Sequence, residues 1–288
     1  MSMARSASAP LTLGNALRSH WPELTLVLLG VAALYAPVVS RMVAVWMHYD
    51  DYSHGFLVPL VSAYFLYCRR AGLRDAEIRP AWIGLGVLAF GLAQLLAGSL
   101  AGEYFTQRTS LLVVLAGLLL LLLGWRVLKL SLLPLAYLVF MVPIPEIVYN
   151  SAAFPLKLLV TDLSVASLKL LDVAVLQEGN ILIFPNVTLE VADACSGLRS
   201  LISLAALGTA YAFIQPFPGW SRLLLMAATV PIAVATNALR VVCTGLLARH
   251  LGSQAAEGFF HEFAGLFVFV IAMIMVLGLG VLLRRVRS

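Results

Sequence analysis

Residues 111–124 read LLVVLAGLLLLLLG. The run has no charge, and Arg108 and Arg126 bound it. A helix that crosses the hydrocarbon core of a bilayer needs about 20 predominantly apolar residues, and the stretch 109–125 built on this run is the clearest such segment. The rest of the chain has the same character. Of its 288 residues, 61% are hydrophobic and 11% are charged, and the mean hydropathy is +0.97. A soluble domain is about 45–50% apolar and about 25% charged. The composition therefore excludes a soluble globule, a disordered chain and a disulfide-stapled scaffold, and leaves an all-α polytopic membrane protein.

Charged residues divide the sequence into eight expected spans: 24–40, 54–68, 81–101, 109–125, 130–145, 196–215, 223–240 and 263–283. The second and fifth are short and contain Pro59 and Pro134. Orientation follows from the bias of Lys and Arg toward cytoplasmic loops. With residues 1–22 in the cytoplasm, 12 of the 19 cations fall inside: Arg5, Arg18, Arg69, Arg70, Arg74, Arg79, Arg126, Lys129, Arg222, Arg284, Arg285 and Arg287. Both termini are then cytoplasmic. No signal peptide is expected, and the first span does the targeting. The net charge of +5 is accounted for by topology rather than by nucleic acid. The whole chain, 1–288, reads as one integral-membrane domain.

One long non-cytoplasmic connection is expected, about 146–195. In its first part Lys157, Asp162, Lys169 and Asp172 fall within about 140° of one another at helical spacing, as in an amphipathic helix on the membrane surface. In its second part Val187, Leu189 and Val191 alternate with Thr188 and Glu190. That is strand period, and Pro185-Asn186 supplies a turn, so a short β-hairpin leads to Ala194-Cys195.

Three residues carry the expected chemistry. Cys195 sits where the hairpin meets the sixth span, and a helix N-terminus lowers a thiol's pKa. Arg199 is four residues on and acts in the same direction. Ser196 and Gly197 are small and leave room at the sulfur. Arg240 stands at the outer end of the seventh span, three residues after Asn237. An intramembrane arginine is by default a functional candidate; the competing reading is a side chain snorkelling to the interface. His261 enters the eighth span from outside. The topology brings Cys195, Arg240 and His261 to one depth on one side, as a nucleophile, an oxyanion donor and a base require. Taken singly, Cys195 reads as a small core residue and His261 as a solvated one. His54 and Tyr52, also outside, compete as a base or as part of a substrate entrance. Cys68 and Cys243 are read as structural. The three cysteines and five histidines form no metal-ligand spacing, so no metal and no organic cofactor are expected.

Ala194-Cys-Ser-Gly-Leu-Arg-Ser-Leu201, Asn237-Ala-Leu-Arg240 and His261-Glu-Phe-Ala-Gly265 resemble the signatures of the exosortase/archaeosortase family, the integral-membrane analogues of sortases. Tyr52-Ser-His-Gly-Phe-Leu-Val-Pro59 and Val142-Pro-Ile-Pro145 fit the same pattern. The resemblance implies a cysteine transpeptidase with Cys195, Arg240 and His261 in the catalytic roles. Arg199, Ser196, Asn237, His54 and Tyr52 would support them or bind substrate. It implies clients that are exported proteins with a C-terminal tail of short motif, transmembrane helix and basic cluster, as in PEP-CTERM proteins. The enzyme would sit in a bacterial inner membrane, with its site on the outer face and an acceptor of unstated identity. The rival classes are a transporter, in which Arg240 binds an anion, and a non-catalytic scaffold for surface polysaccharide or protein export.

Overall fold

The computed structural model describes residues 12–185, 187–191, 198–251 and 259–285. They fold into two compact units that divide at Pro145, where the sequence places the start of the long connection. In the first unit the helices are α1 (Leu13–Ser19), α2 (Trp21–His48), α3 (Leu57–Cys68), α4 (Arg70–Arg74), α5 (Ile83–Leu100), α6 (Tyr104–Leu122) and α7 (Trp125–Tyr137). Two 3₁₀ turns, Asp50–Phe56 and Leu138–Met141, follow α2 and α7. The second unit holds α8 (Glu146–Leu170), strands β1 (Leu176–Glu178), β2 (Ile181–Ile183) and β3 (Thr188–Glu190), then α9 (Leu198–Ile214), α10 (Gly219–Leu251) and α11 (Phe259–Arg285).

Among the described residues six helices are long and apolar enough to cross a membrane: α2, α5, α6, α8, α10 and α11. The protein is thus an all-α polytopic membrane protein with a small sheet. The expected second and fifth spans are the short helices α3 and α7, of 12 and 13 residues. They hold each other. Pro134, inside α7, has no N–H to give the carbonyl of Leu130. Arg69 Nη1 donates to that carbonyl instead, at 2.7 Å. Ser62 Oγ donates to the carbonyl of Pro134 itself at 2.8 Å, and the rings of Phe65 and Tyr137 meet edge to face 5.3 Å apart.

In membranes, small residues let helix backbones approach closely. Gly84, Gly91 and Gly98 recur every seventh residue along α5, and each faces α6. A methyl group at Gly84 would meet the backbone of Leu120 and Leu121, and one at Gly117 the backbone of Leu88. The polar groups inside this unit satisfy one another. Ser110 Oγ donates to the carbonyl of Gln107 at 2.7 Å, so its oxygen accepts from Tyr35 at 2.9 Å. Gln107 Nε2 donates to the carbonyl of Gly98 at 2.9 Å.

In the second unit α9, α10 and α11 pack around Leu204, Leu225, Ala233, Ala272 and Val276. A second core joins α8 and the sheet to α10 through Val160, Leu168, Leu182, Phe184, Val191, Ala238, Val241 and Val242. The expected hairpin is one half of a three-stranded antiparallel meander, in which Leu182 pairs with both Gln177 and Leu189. The alternation read from the sequence holds: Val187, Leu189 and Val191 are turned inward, while Thr188 and Glu190 are exposed. The expected polar face on α8 is corrected. Lys157 is buried, Asp162 and Lys169 are exposed, and Asp172 lies past the helix end at φ 54°. Polar spacing alone missed this, because α8 packs along α10 on the side that holds Lys157, Val160, Ser164 and Leu168.

Candidate active site

Arg240 lies two-thirds of the way along α10 and is 7% exposed. One turn before it, Asn237 is 2% exposed and Thr236 is 4% exposed. An arginine this enclosed is packed against the protein rather than lying free on its surface. Its guanidinium rests on α11 at Gly265. A Cβ built on that glycine would lie 3.3 Å from Nη2 and 3.4 Å from Cζ of Arg240. Gly265 is therefore the flat spot on α11 that admits the guanidinium. His261 is on α11 one turn before Gly265. The sequence had grouped His261 with Gly265, but the pairing of Gly265 with Arg240 is visible only in the packing.

Two further close approaches set the height of α9. Gly208 on α9 faces Thr229 on α10. Counting ten residues back from Gly208 and ten forward from Thr229 along these antiparallel helices brings Leu198 level with Leu239. Gly280 on α11 faces Tyr211 on α9. Counting thirteen residues back from each brings Leu198 level with Phe267, two residues past Gly265. At 1.5 Å rise per residue, the first residue of α9 thus lies within about 3 Å of Arg240 and Gly265 along the bundle axis. From the other side the chain leaves β3 at Val191, which is buried in the same cluster as Ala238, Val241 and Val242. Val191 and Leu198 thus both lie near the level of Arg240.

Cys195 and Ser196 lie outside the described residues, as do the side chains of Arg199 and His261. The helices that carry Arg199 and His261 are α9 and α11. Cys68 and Cys243 are exposed on their helices.

His54 and Tyr52 belong to the first unit, in the 3₁₀ turn after α2. Nε2 of His54 meets the carbonyl of Phe140 at 3.1 Å, and since a carbonyl only accepts, Nε2 carries the proton. Burial pushes the pKa of this imidazole down, against the opposing pull of the Phe140 and Asp51 backbone. The Tyr52 hydroxyl meets the backbone of Ile144, and burial raises its pKa. Trp46 Nε1 donates to the carbonyl of Met141 at 3.0 Å, and its ring covers Gly55. The Tyr-Ser-His-Gly stretch and the Val-Pro-Ile-Pro stretch, far apart in sequence, therefore form one corner. Among the described residues no cluster of His, Cys, Asp and Glu has the arrangement of a metal site.

A family model described as transmembrane exosortase matches residues 46–278. No curated protein and no solved structure matches the chain.

Proposed function

The chain belongs to the transmembrane exosortase family, and from that premise we propose that it is a cysteine transpeptidase built around Cys195, Arg240 and His261. The family assigns it a general role as a membrane transpeptidase acting on exported proteins with C-terminal sorting signals. The finer reading rests on one observation: Arg240, buried in α10, lies against Gly265, level with the start of α9. Three peptide links separate Cys195 from Leu198, which limits their Cα separation to about 11 Å. On this proposal the tether brings the Cys195 nucleophile to the buried guanidinium, as acyl transfer requires.

In this mechanism the Cys195 thiolate attacks the carbonyl carbon of the scissile peptide. Arg240 donates hydrogen bonds to the oxygen as it becomes negative, and its charge is permanent. The carbon–nitrogen bond breaks, the leaving amine takes a proton from the His261 imidazolium, and a thioester to Cys195 remains. An acceptor amine or hydroxyl gives its proton to His261 and attacks the thioester, and the thiolate leaves. Resolution by water instead makes the same machinery a protease. Ser196 leaves space at the sulfur, Arg199 lowers the thiol pKa, and Asn237 supports Arg240. Tyr52 and His54 would help build a substrate entrance.

The same proposal sets the orientation. In the second unit Arg222, Arg284 and Arg285 stand at the end away from Arg240, with Arg222 over Phe213 and Arg284 over Phe217. On this reading those cations lie in the cytoplasm and the site faces the exported side of a bacterial inner membrane. The client carries a short motif, a membrane helix and a basic tail.

The test is loss of the tail from a client protein in intact cells, read as a mobility shift. Cys195→Ala is expected to abolish it while the enzyme stays in the membrane. Normal processing by that variant overturns the nucleophile. A membrane-impermeant maleimide that labels Cys195 from outside supports the orientation, and labelling only in opened membranes reverses it.

A further inference from the structure

At one end of the first unit several features converge that the transpeptidase reading does not use. Residues 77–80 run in an extended segment between α4 and α5. The N–H of Arg79 donates to the carbonyl of Leu123 at 3.3 Å, and Arg79 bridges to Gly124. Gly124 has φ +87°, and a Cβ there would collide with the carbonyl of Arg79. The turn that ends α6 and begins α7 is therefore locked against this segment. Between them lies a cavity of about 490 Å³ lined by Glu77, Arg79, Trp125, Arg126 and Lys129.

The charge in this cavity is unbalanced. Glu77 Oε2 pairs with Arg79 Nη2 at 3.0 Å. Among the described residues no carboxylate pairs with Arg126 or Lys129, which are one turn apart on α7. Three cations against one carboxylate leave two positive charges in a space of ligand size. That excess suits a phosphate-bearing anion, which Arg and Lys both bind well.

The surroundings say where the anion comes from. Trp21 starts α2, Trp82 precedes α5 and Trp125 starts α7, and they are 64%, 83% and 51% exposed. Contacts tie all three to one end. The start of α2 shares a pocket with Ile78, Pro80, Leu122 and Leu123, and α5 pairs antiparallel with α6, whose end is Leu122. Exposed tryptophans gather at the headgroup level of a bilayer. The cavity therefore opens at headgroup depth, beside the end of a membrane-spanning helix.

We propose that the cavity between Arg79 and the Arg126–Lys129 turn of α7 binds the phosphate headgroup of an anionic phospholipid from the surrounding leaflet. Basic pockets at the end of membrane helices are suited to such headgroups. The site is separate from Arg240 and Gly265, which lie in the other unit, and it does not depend on the transpeptidase assignment.

The full chain in neutral detergent, titrated with phosphatidylglycerol and with phosphatidylcholine and read by native mass spectrometry, tests this. Wild type is expected to hold phosphatidylglycerol about tenfold more tightly than phosphatidylcholine. Arg126→Gln with Lys129→Gln is expected to erase that preference, and Arg126→Lys to keep it. Arg70→Gln with Arg74→Gln, at the same end but outside the cavity, is expected to leave it intact. The proposal is overturned by a wild type without preference, by a double variant that retains it, or by an equal loss in the Arg70/Arg74 pair, which would mean diffuse surface charge. Inorganic phosphate at constant ionic strength forms the last arm. Displacement of the lipid by millimolar phosphate overturns the lipid assignment and makes the ligand a free phosphate.

Discussion

Among the described residues the buried polar side chains of the first unit are all neutral, whereas those of the second include two cations, Lys157 and Arg240. In the first, α5 and α6 meet glycine to backbone, and the polar side chains between helices close on one another: Tyr35 on Ser110, Ser110 and Gln107 on main-chain carbonyls. In the second, α10 buries an arginine and an asparagine one turn apart, and α11 presents a glycine to the guanidinium. Closed hydrogen-bonded pairs rigidify a core. Burying a cation costs solvation, and a buried guanidinium can stabilise a developing negative charge. On the proposed mechanism the first unit holds shape and the second carries the chemistry.

The largest expected effect separates the two. Arg240→Gln keeps a polar side chain in place of the charge. It should slow client processing by about 10²–10³, with membrane levels and melting temperature close to wild type. If the variant instead disappears from the membrane, Arg240 belongs with the structural polar groups of the first unit and the contrast fails. Next comes Gly84→Ala. The added methyl meets the backbone of Leu120 and Leu121, which no rotamer change relieves. Overpacking of this kind costs about 1–3 kcal/mol. Lower thermal stability in detergent with unchanged processing per folded molecule is the expected pattern, and a rate defect without a stability defect would count against it.

Gly265→Ala sharpens the comparison from the other side. Its Cβ at 3.3 Å from Nη2 obliges Arg240 to move by a few tenths of an ångström. Small misplacements of a positioned group are costly in rate, so processing should fall roughly threefold to tenfold while stability holds. The decisive readout is a double-mutant cycle. In an Arg240→Gln background the Gly265 change should add little, because both act through one contact; full additivity would break the link.

How much of this the sequence carried depends on what each feature depends on. Long apolar runs such as 111–124 need only their own composition, and they emerged as α6 and its neighbours. The alternation of Val187, Leu189 and Val191 likewise depends on one strand and one buried face. Lys157 was misplaced because its environment is set by α10, distant in sequence. The short helices α3 and α7 look like weak spans because they are short and contain Pro59 and Pro134; the repair of the ladder at Pro134 by Arg69 comes from another element. That Leu198 lies level with Arg240 follows from Gly208 and Gly280, whose contacts no local pattern announces. The apposition of Tyr52 and His54 with residues 140–144 was equally invisible, although both stretches stood out.

The smallest expected effect tests whether the first unit's polar groups act on stability alone. Glu103 caps α6, its carboxylate accepting from the N–H of Phe105 at 2.8 Å and from the N–H of Thr106. Burial alone would raise its pKa, but the bonds from Thr106 and Phe105 and the nearby charge of Arg108 outweigh it and hold the value below 4.5. The folded state therefore binds this proton less readily than the unfolded chain does. The cap's contribution is fully present above pH 4.5 and is lost as pH falls through the lowered folded value. Glu103→Gln should cost about 1 kcal/mol or less at neutral pH, and should flatten the acid limb of the stability curve that wild type shows below its ordinary carboxylate range. Processing per folded molecule should not change at any pH where the enzyme is folded. An altered pH–rate profile in this variant would carry a polar group of the first unit into the chemistry, and the division of labour between the units would have to be redrawn.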